Sequence, residues 1–108
     1  MIPTIDEIIS LNSDLKEKDK TLIKKAYDFA KKAHEGQLRK SGEPYFNHVF
    51  STAINLAELG AETKTIVAGL LHDVIEDTSI TEEDIKMFDA KGKLASEYYY
   101  EYKSKFNV

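Results

Sequence analysis

The chain has 108 residues, 42% apolar and 31% charged, enough for one domain around one core. A formal net charge of -4 argues against DNA binding through bulk charge, and no apolar run approaches the roughly 20 residues that span a bilayer. Cysteine is absent, which excludes disulfides and thiolate metal sites; with no signal-peptide layout at the N-terminus, a cytoplasmic setting is expected.

The pattern reads as all-α, because strand-like alternation and Asn-Gly or Asp-Gly hairpin signals are missing. A short first helix is expected to start near Thr4, with Ile5, Ile8 and Ile9 at helical spacing. A second is expected from about Lys18 to His34, with Leu22, Ala26, Phe29, Ala30 and Ala33 as its inner stripe. Between Lys16 and Lys40 there are nine Lys/Arg against four Asp/Glu, and from Ser41 onward six against twelve. The basic stretch is read first as a solvated helix face, and second as one wall of a site for a phosphorylated ligand. Gly36 to Gly42 reads as a loop.

Pro44 suits the first turn of a third helix, which carries Phe46, Val49, Phe50, Ala53, Ile54 and Ala57 and stops at Gly60. A fourth runs from about Thr63 to Asp77. Thr81 is expected to begin a short fifth helix that Gly92 ends. A sixth, amphipathic, is expected between Lys93 and Phe106, with four Tyr between Tyr98 and Tyr102. Those tyrosines are assigned to packing or self-association, since aromatics are enriched at interfaces. The whole is expected to be one domain, with a core over about residues 18–88 and a divergent segment over 89–108.

The fourth helix is the one with chemistry in it. Leu70-Leu71-His72-Asp73-Val74-Ile75-Glu76-Asp77-Thr78 puts a histidine and three carboxylates into a segment otherwise apolar nearly all round. Such a helix is expected to be buried. Buried ionisable groups cost several kcal/mol each unless they are paired or hold a metal. His72 lies one turn before Glu76, and Asp73 one turn before Asp77. His48, on the preceding helix, is brought alongside if the two helices pack antiparallel through the Gly60–Glu62 turn. One divalent cation can then be shared by His48, His72 and Asp73; mixed N/O ligation suits Mn, Fe, Ni or Zn. A metal with open positions lowers the pKa of bound water, and Glu76 and Asp77 are placed to orient that water or take its proton. Arg39 and Lys40 are placed to meet phosphate or a base. His34 is read as a structural histidine that hydrogen-bonds near the loop.

Several segments carry a resemblance: Ala33-His34-Glu35-Gly36-Gln37, Arg39-Lys40-Ser41-Gly42-Glu43-Pro44-Tyr45, Asn47-His48, and Leu70 to Thr78. In this order and spacing they resemble the hydrolase domain of the RelA/SpoT homologues, within the HD superfamily of metal-dependent phosphohydrolases. The likeness covers roughly Ala26 to Phe88. It implies an HD-type helical bundle, abbreviated here to five or six helices. It implies removal of the 3′-pyrophosphate from guanosine tetra- and pentaphosphate alarmones with Mn²⁺. His48, His72 and Asp73 would hold the metal, and Glu76 and Asp77 would be the catalytic acidic pair. Arg39 and Lys40 would contact the nucleotide, with Ser41 and Tyr45 as weaker candidates.

The family also takes a last aspartate ligand, and an asparagine just after it, from a helix well downstream. The residues after Phe88 do not match that segment: Asp89 lies close in sequence to the motif, and Glu97 and Glu101 are the acids beyond it. The pattern therefore reads as truncated after Glu76-Asp77-Thr78. The alternative to an enzyme is a catalytically incomplete remnant that binds a nucleotide or a protein. Apolar surface left uncovered on the central helix leads to the further expectation of a homo-oligomer.

Overall fold

The helix that is apolar all round takes the middle of the molecule. In the computed structural model, which describes residues 2–77, the helices run in the order α1 (Ile5–Ser10), α2 (Glu17–Ala33), α3 (Tyr45–Glu58) and α4 (Thr63–Asp77). Helix α4 packs against both α2 and α3, and α1 packs against α2 and α3. Every residue from Thr65 to Leu71 is buried, so no face of that stretch meets water. Full burial of a leucine or isoleucine contributes about 1.5–3 kcal/mol, and Ile66, Leu70 and Leu71 are all under 2% exposed. The described part is all-α. The expected fifth and sixth helices, the tyrosine cluster and the 89–108 segment lie outside the described residues.

Helix α2 begins one residue earlier than the apolar spacing suggests. The Asp19 carboxylate accepts the backbone N–H of Lys16 at 3.3 Å, which satisfies a donor ahead of the first turn. Glu17 and Asp19 sit in that turn, and Lys31 and Lys32 in the last, the arrangement the helix dipole favours. The inner stripe needs correction. Ile23, Ala26, Tyr27 and Ala30 are the buried positions, whereas Leu22, Phe29 and Ala33 are only partly buried. The stripe is rotated because Tyr27 enters the core, edge-on to Phe46 at 5.0 Å and Phe50 at 6.5 Å. Lys18, Lys24, Lys25, Lys31 and Lys32 are all exposed, so the basic run is a solvated face.

Pro44 is the N-cap of α3 rather than part of its first turn. Its fixed φ suits that place too, since a cap has extended rather than helical ψ. The buried face of α3 is Phe46, Val49, Phe50, Ala53, Leu56 and Ala57; Ile54 is only partly buried. At the other end, Gly60 has φ +74, its N–H bonds to the Ala57 carbonyl, and the N–H of Ala61 bonds to that of Leu56. This pair of bonds is a Schellman stop, and a Cβ at Gly60 would strain the left-handed conformation. The turn sends α4 back along α3. Thr52 and Leu56 lie opposite Gly69, and Tyr45 and His48 opposite Asp73, an antiparallel register.

Candidate metal centre

The antiparallel register brings the first turn of α3 to the last turns of α4. There the nitrogens of His48 and His72 and a carboxylate oxygen of Asp73 all lie within 4.8 Å of one another. Among the described residues this is the one group of three or more such side chains close enough to share an ion. Asp73 is 8% exposed. Its Oδ2 lies 3.1 Å from His72 Nε2 and 3.9 Å from His48 Nε2.

The chemistry of His72 is settled by its other nitrogen. Nδ1 stands 2.7 Å from the carbonyl oxygen of Gly69. A carbonyl only accepts, so Nδ1 carries the proton and donates. Nε2 therefore faces the Asp73 carboxylate either with a proton of its own or with a lone pair. A lone pair 3.1 Å from a carboxylate oxygen is repelled, unless a cation lies between or beside the two. An imidazole whose Nδ1–H is fixed by a backbone carbonyl and whose Nε2 faces an acid is the arrangement metal-binding histidines take. The donor set thus fits a divalent cation.

Asp73 is held ready as an anion. Burial pushes its carboxyl up. The hydrogen bond and charge of His72, the hydrogen bond from Tyr45, and the charge of His48 outweigh burial and hold it below the ordinary value. Tyr45, a weaker candidate for contacting the nucleotide, donates its hydroxyl to Asp73 Oδ2 at 2.8 Å. Its ring stands 5.6 Å from that of His48, edge-on, and 4.9 Å from that of His34.

The loop before α3 is built to end on this tyrosine. Gln37 O accepts the N–H of Tyr45 at 2.8 Å, Leu38 pairs with Pro44, and Glu43 O accepts the N–H of Arg39. Arg39 O accepts the N–H of Gly42, whose φ of +90 closes the turn. Arg39, Lys40 and Ser41 therefore sit exposed on a short excursion, and within the described residues no hydrogen bond or ion pair joins them to the three candidate ligands. His34 hydrogen-bonds beside the loop, as expected: it is 2% exposed and its Nδ1 is paired with Gln37 Oε1 at 2.8 Å, while its buried Nε2 has no hydrogen-bond partner among the described residues. Glu76 and Asp77 close α4, each four residues after a candidate ligand. Thr78 and the downstream acids lie outside the described residues.

Gly69 escaped the reading of the sequence. A Cβ there would come 2.5 Å from Leu56 Cδ1, so glycine lets α3 and α4 approach closely, and its carbonyl orients His72. The signal was available: a glycine inside an apolar helix, three residues before a histidine, marks close approach.

Helical architecture and a His-plus-His-Asp cluster define a metal-site bundle of the HD kind. Residues 26–92 match the HD domain family, more than half of the chain, and the chain belongs to that family. It is 55% identical over 64 residues to a guanosine-3′,5′-bis(diphosphate) 3′-pyrophosphohydrolase of Aquifex aeolicus, covering 59% of this chain and 9% of that protein. It is 48% identical over 69 residues to the bifunctional (p)ppGpp synthase/hydrolase SpoT of Escherichia coli, covering 64% and 10%. Against the bifunctional (p)ppGpp synthase/hydrolase RelA of Mycobacterium tuberculosis it is 42% identical over 77 residues, covering 70% and 10%. The matched segment is about a tenth of the length of these relatives. Within the described residues, no helix is long and apolar enough to cross a membrane.

Proposed function

We propose that this chain is a divalent-metal phosphohydrolase module that releases the 3′-pyrophosphate of guanosine tetra- or pentaphosphate. The observation that carries the metal half of this reading is the His72 ring, donating to Gly69 O and presenting Nε2 to Asp73 with His48 alongside. The substrate half is supported by the names of the similar proteins and by the exposed Arg39-Lys40 pair.

His48, His72 and Asp73 hold the ion, with Mn²⁺ the proposed metal. When bound, it lowers the pKa of water and offsets phosphate charge. Glu76 and Asp77 take the proton of the attacking water as its oxygen bonds to the phosphorus next to the ribose 3′-oxygen. The bond to that 3′-oxygen breaks, the acidic pair passes the proton on to it, and the products are pyrophosphate and a free 3′-hydroxyl. Arg39 and Lys40 pair with phosphate oxygens or stack on the base, with Ser41 as a further hydrogen-bonding partner. A cytoplasmic setting and a homo-oligomer are part of the same reading; light scattering at tens of micromolar tests the latter.

The experiment is guanosine tetraphosphate hydrolysis with and without Mn²⁺, comparing the chain with His72→Ala. Mn²⁺-dependent pyrophosphate release that vanishes in the variant is the expected result. No release at high protein concentration, with Mn²⁺ bound, overturns the enzyme and leaves a module that binds a nucleotide or a protein.

A further inference from the structure

We infer that Tyr45 is a positioning residue of the metal centre: its hydroxyl fixes the Asp73 carboxylate and couples the Arg39–Lys40 loop to it. The inference deepens the proposed function and rests on its reading of His48, His72 and Asp73 as metal ligands.

Tyr45 is where four parts of the molecule meet. Its backbone N–H closes the loop onto Gln37 O at 2.8 Å, and its hydroxyl reaches across to α4 and Asp73 Oδ2, also at 2.8 Å. Its ring lies against buried His34, tilted by 32°, and meets His48 of its own helix edge-on. His34 is in turn tied to Gln37. The ring is thus packed against two histidines while its hydroxyl is engaged by Asp73.

Three physical points favour positioning over substrate contact. A phenol has one proton, and here it is donated to an ionised carboxylate, a strong charge-assisted bond. That proton is not available to a phosphate while Asp73 is ionised. A carboxylate turns easily about its last torsion, and Tyr45 fixes the same oxygen that faces both histidines. Finally, the partner that orients a ligand from behind is commonly worth 10–100-fold in metal affinity.

The coupling has a structural consequence. Arg39 and Lys40 stand on the excursion whose return strand ends at Tyr45, so the side chain that fixes a candidate ligand also marks where the loop begins its helix. Loss of the hydroxyl is expected to loosen Asp73 first and to leave the loop's backbone bonds in place.

The test is calorimetric titration of the metal-free, full 108-residue chain with MnCl₂, for the wild type and Tyr45→Phe. Phenylalanine keeps the ring contacts and removes only the hydroxyl, so far-UV circular dichroism should be unchanged. The expected result is Mn²⁺ affinity reduced by about ten- to a hundredfold in the variant. Equal affinity, with a raised KM for guanosine tetraphosphate, makes Tyr45 a substrate contact and overturns the inference while leaving the metal centre standing. A wild type that takes up no Mn²⁺ overturns both. If Tyr45→Phe does not fold, the wild-type hydroxyl proton serves instead. Its NMR signal should exchange slowly with water in the metal-free and Zn²⁺-titrated chain, and rapid exchange in both overturns the inference.

Discussion

The two ends of the α3–α4 pair carry the same kinds of charged group and use them in opposite ways. At the turn end, Glu62 and Lys64 approach to 3.9 Å with side chains 67% and 49% exposed. Water solvates both, and such a pair contributes about 0–1 kcal/mol. At the other end, His72 and Asp73 approach to 3.1 Å with side chains 16% and 11% exposed. There each group has lost most of its water and depends on its neighbours, as the network through Gly69 O, Tyr45 and His48 shows. An ion pair near the surface is incidental to the fold, whereas the part-buried Asp73 stands beside two imidazoles in a donor set that fits a cation.

The sharpest way to break the contrast is Asp73→Asn. The amide keeps the shape and loses the charge, and Mn²⁺ affinity should fall by more than about a hundredfold by calorimetry, since even an outer partner is worth 10–100-fold. Next in size is Gly69→Ala. Overpacking against Leu56 costs about 1–3 kcal/mol, while alanine's helix preference returns about 1. A net loss of about 1 kcal/mol, or several degrees in Tm, is expected by thermal melt.

A smaller effect appears with acid. The carboxyl of Asp73 is depressed relative to the unfolded chain, so its stabilisation is full above the ordinary value and is lost as pH falls through the lower folded one. The Tm difference between wild type and Asp73→Asn, both metal-free, should hold steady down to about pH 4 and shrink below it. Smallest of all, Glu62→Gln at the turn end should move stability by less than about 0.5 kcal/mol in a denaturant titration. A large loss there would erase the distinction between the two ends.

What was legible in the sequence follows from locality. The stop at Gly60 needs only a left-handed residue after an apolar helix, and α4 needs only an apolar run between Thr63 and Asp77; both lie where the spacing puts them. His48, His72 and Asp73 were also legible as a set, because i, i+1 neighbours and a short antiparallel turn constrain where they meet. The face of α2 was not. Leu22 and Ile23 are equally apolar, and the choice between them depends on Tyr27 entering the core beside Phe46 and Phe50. The role of Tyr45 was not legible either, since a tyrosine in a loop motif gives no sign of the carboxylate 28 residues later that its hydroxyl will meet.

The sequence by itself determined the all-α class, the order of the four described helices and which candidate ligands come together, because periodicity, stop signals and ligand chemistry are local properties of the chain. Tertiary structure alone decided which nitrogen of His72 faces Asp73, which side of α2 is inward, and that Tyr45 serves a carboxylate. Those outcomes depend on contacts that emerge only when the helices pack: Tyr27 against Phe46 and Phe50 for α2, and the close approach of α3 and α4 at Gly69 for the two side chains of the site.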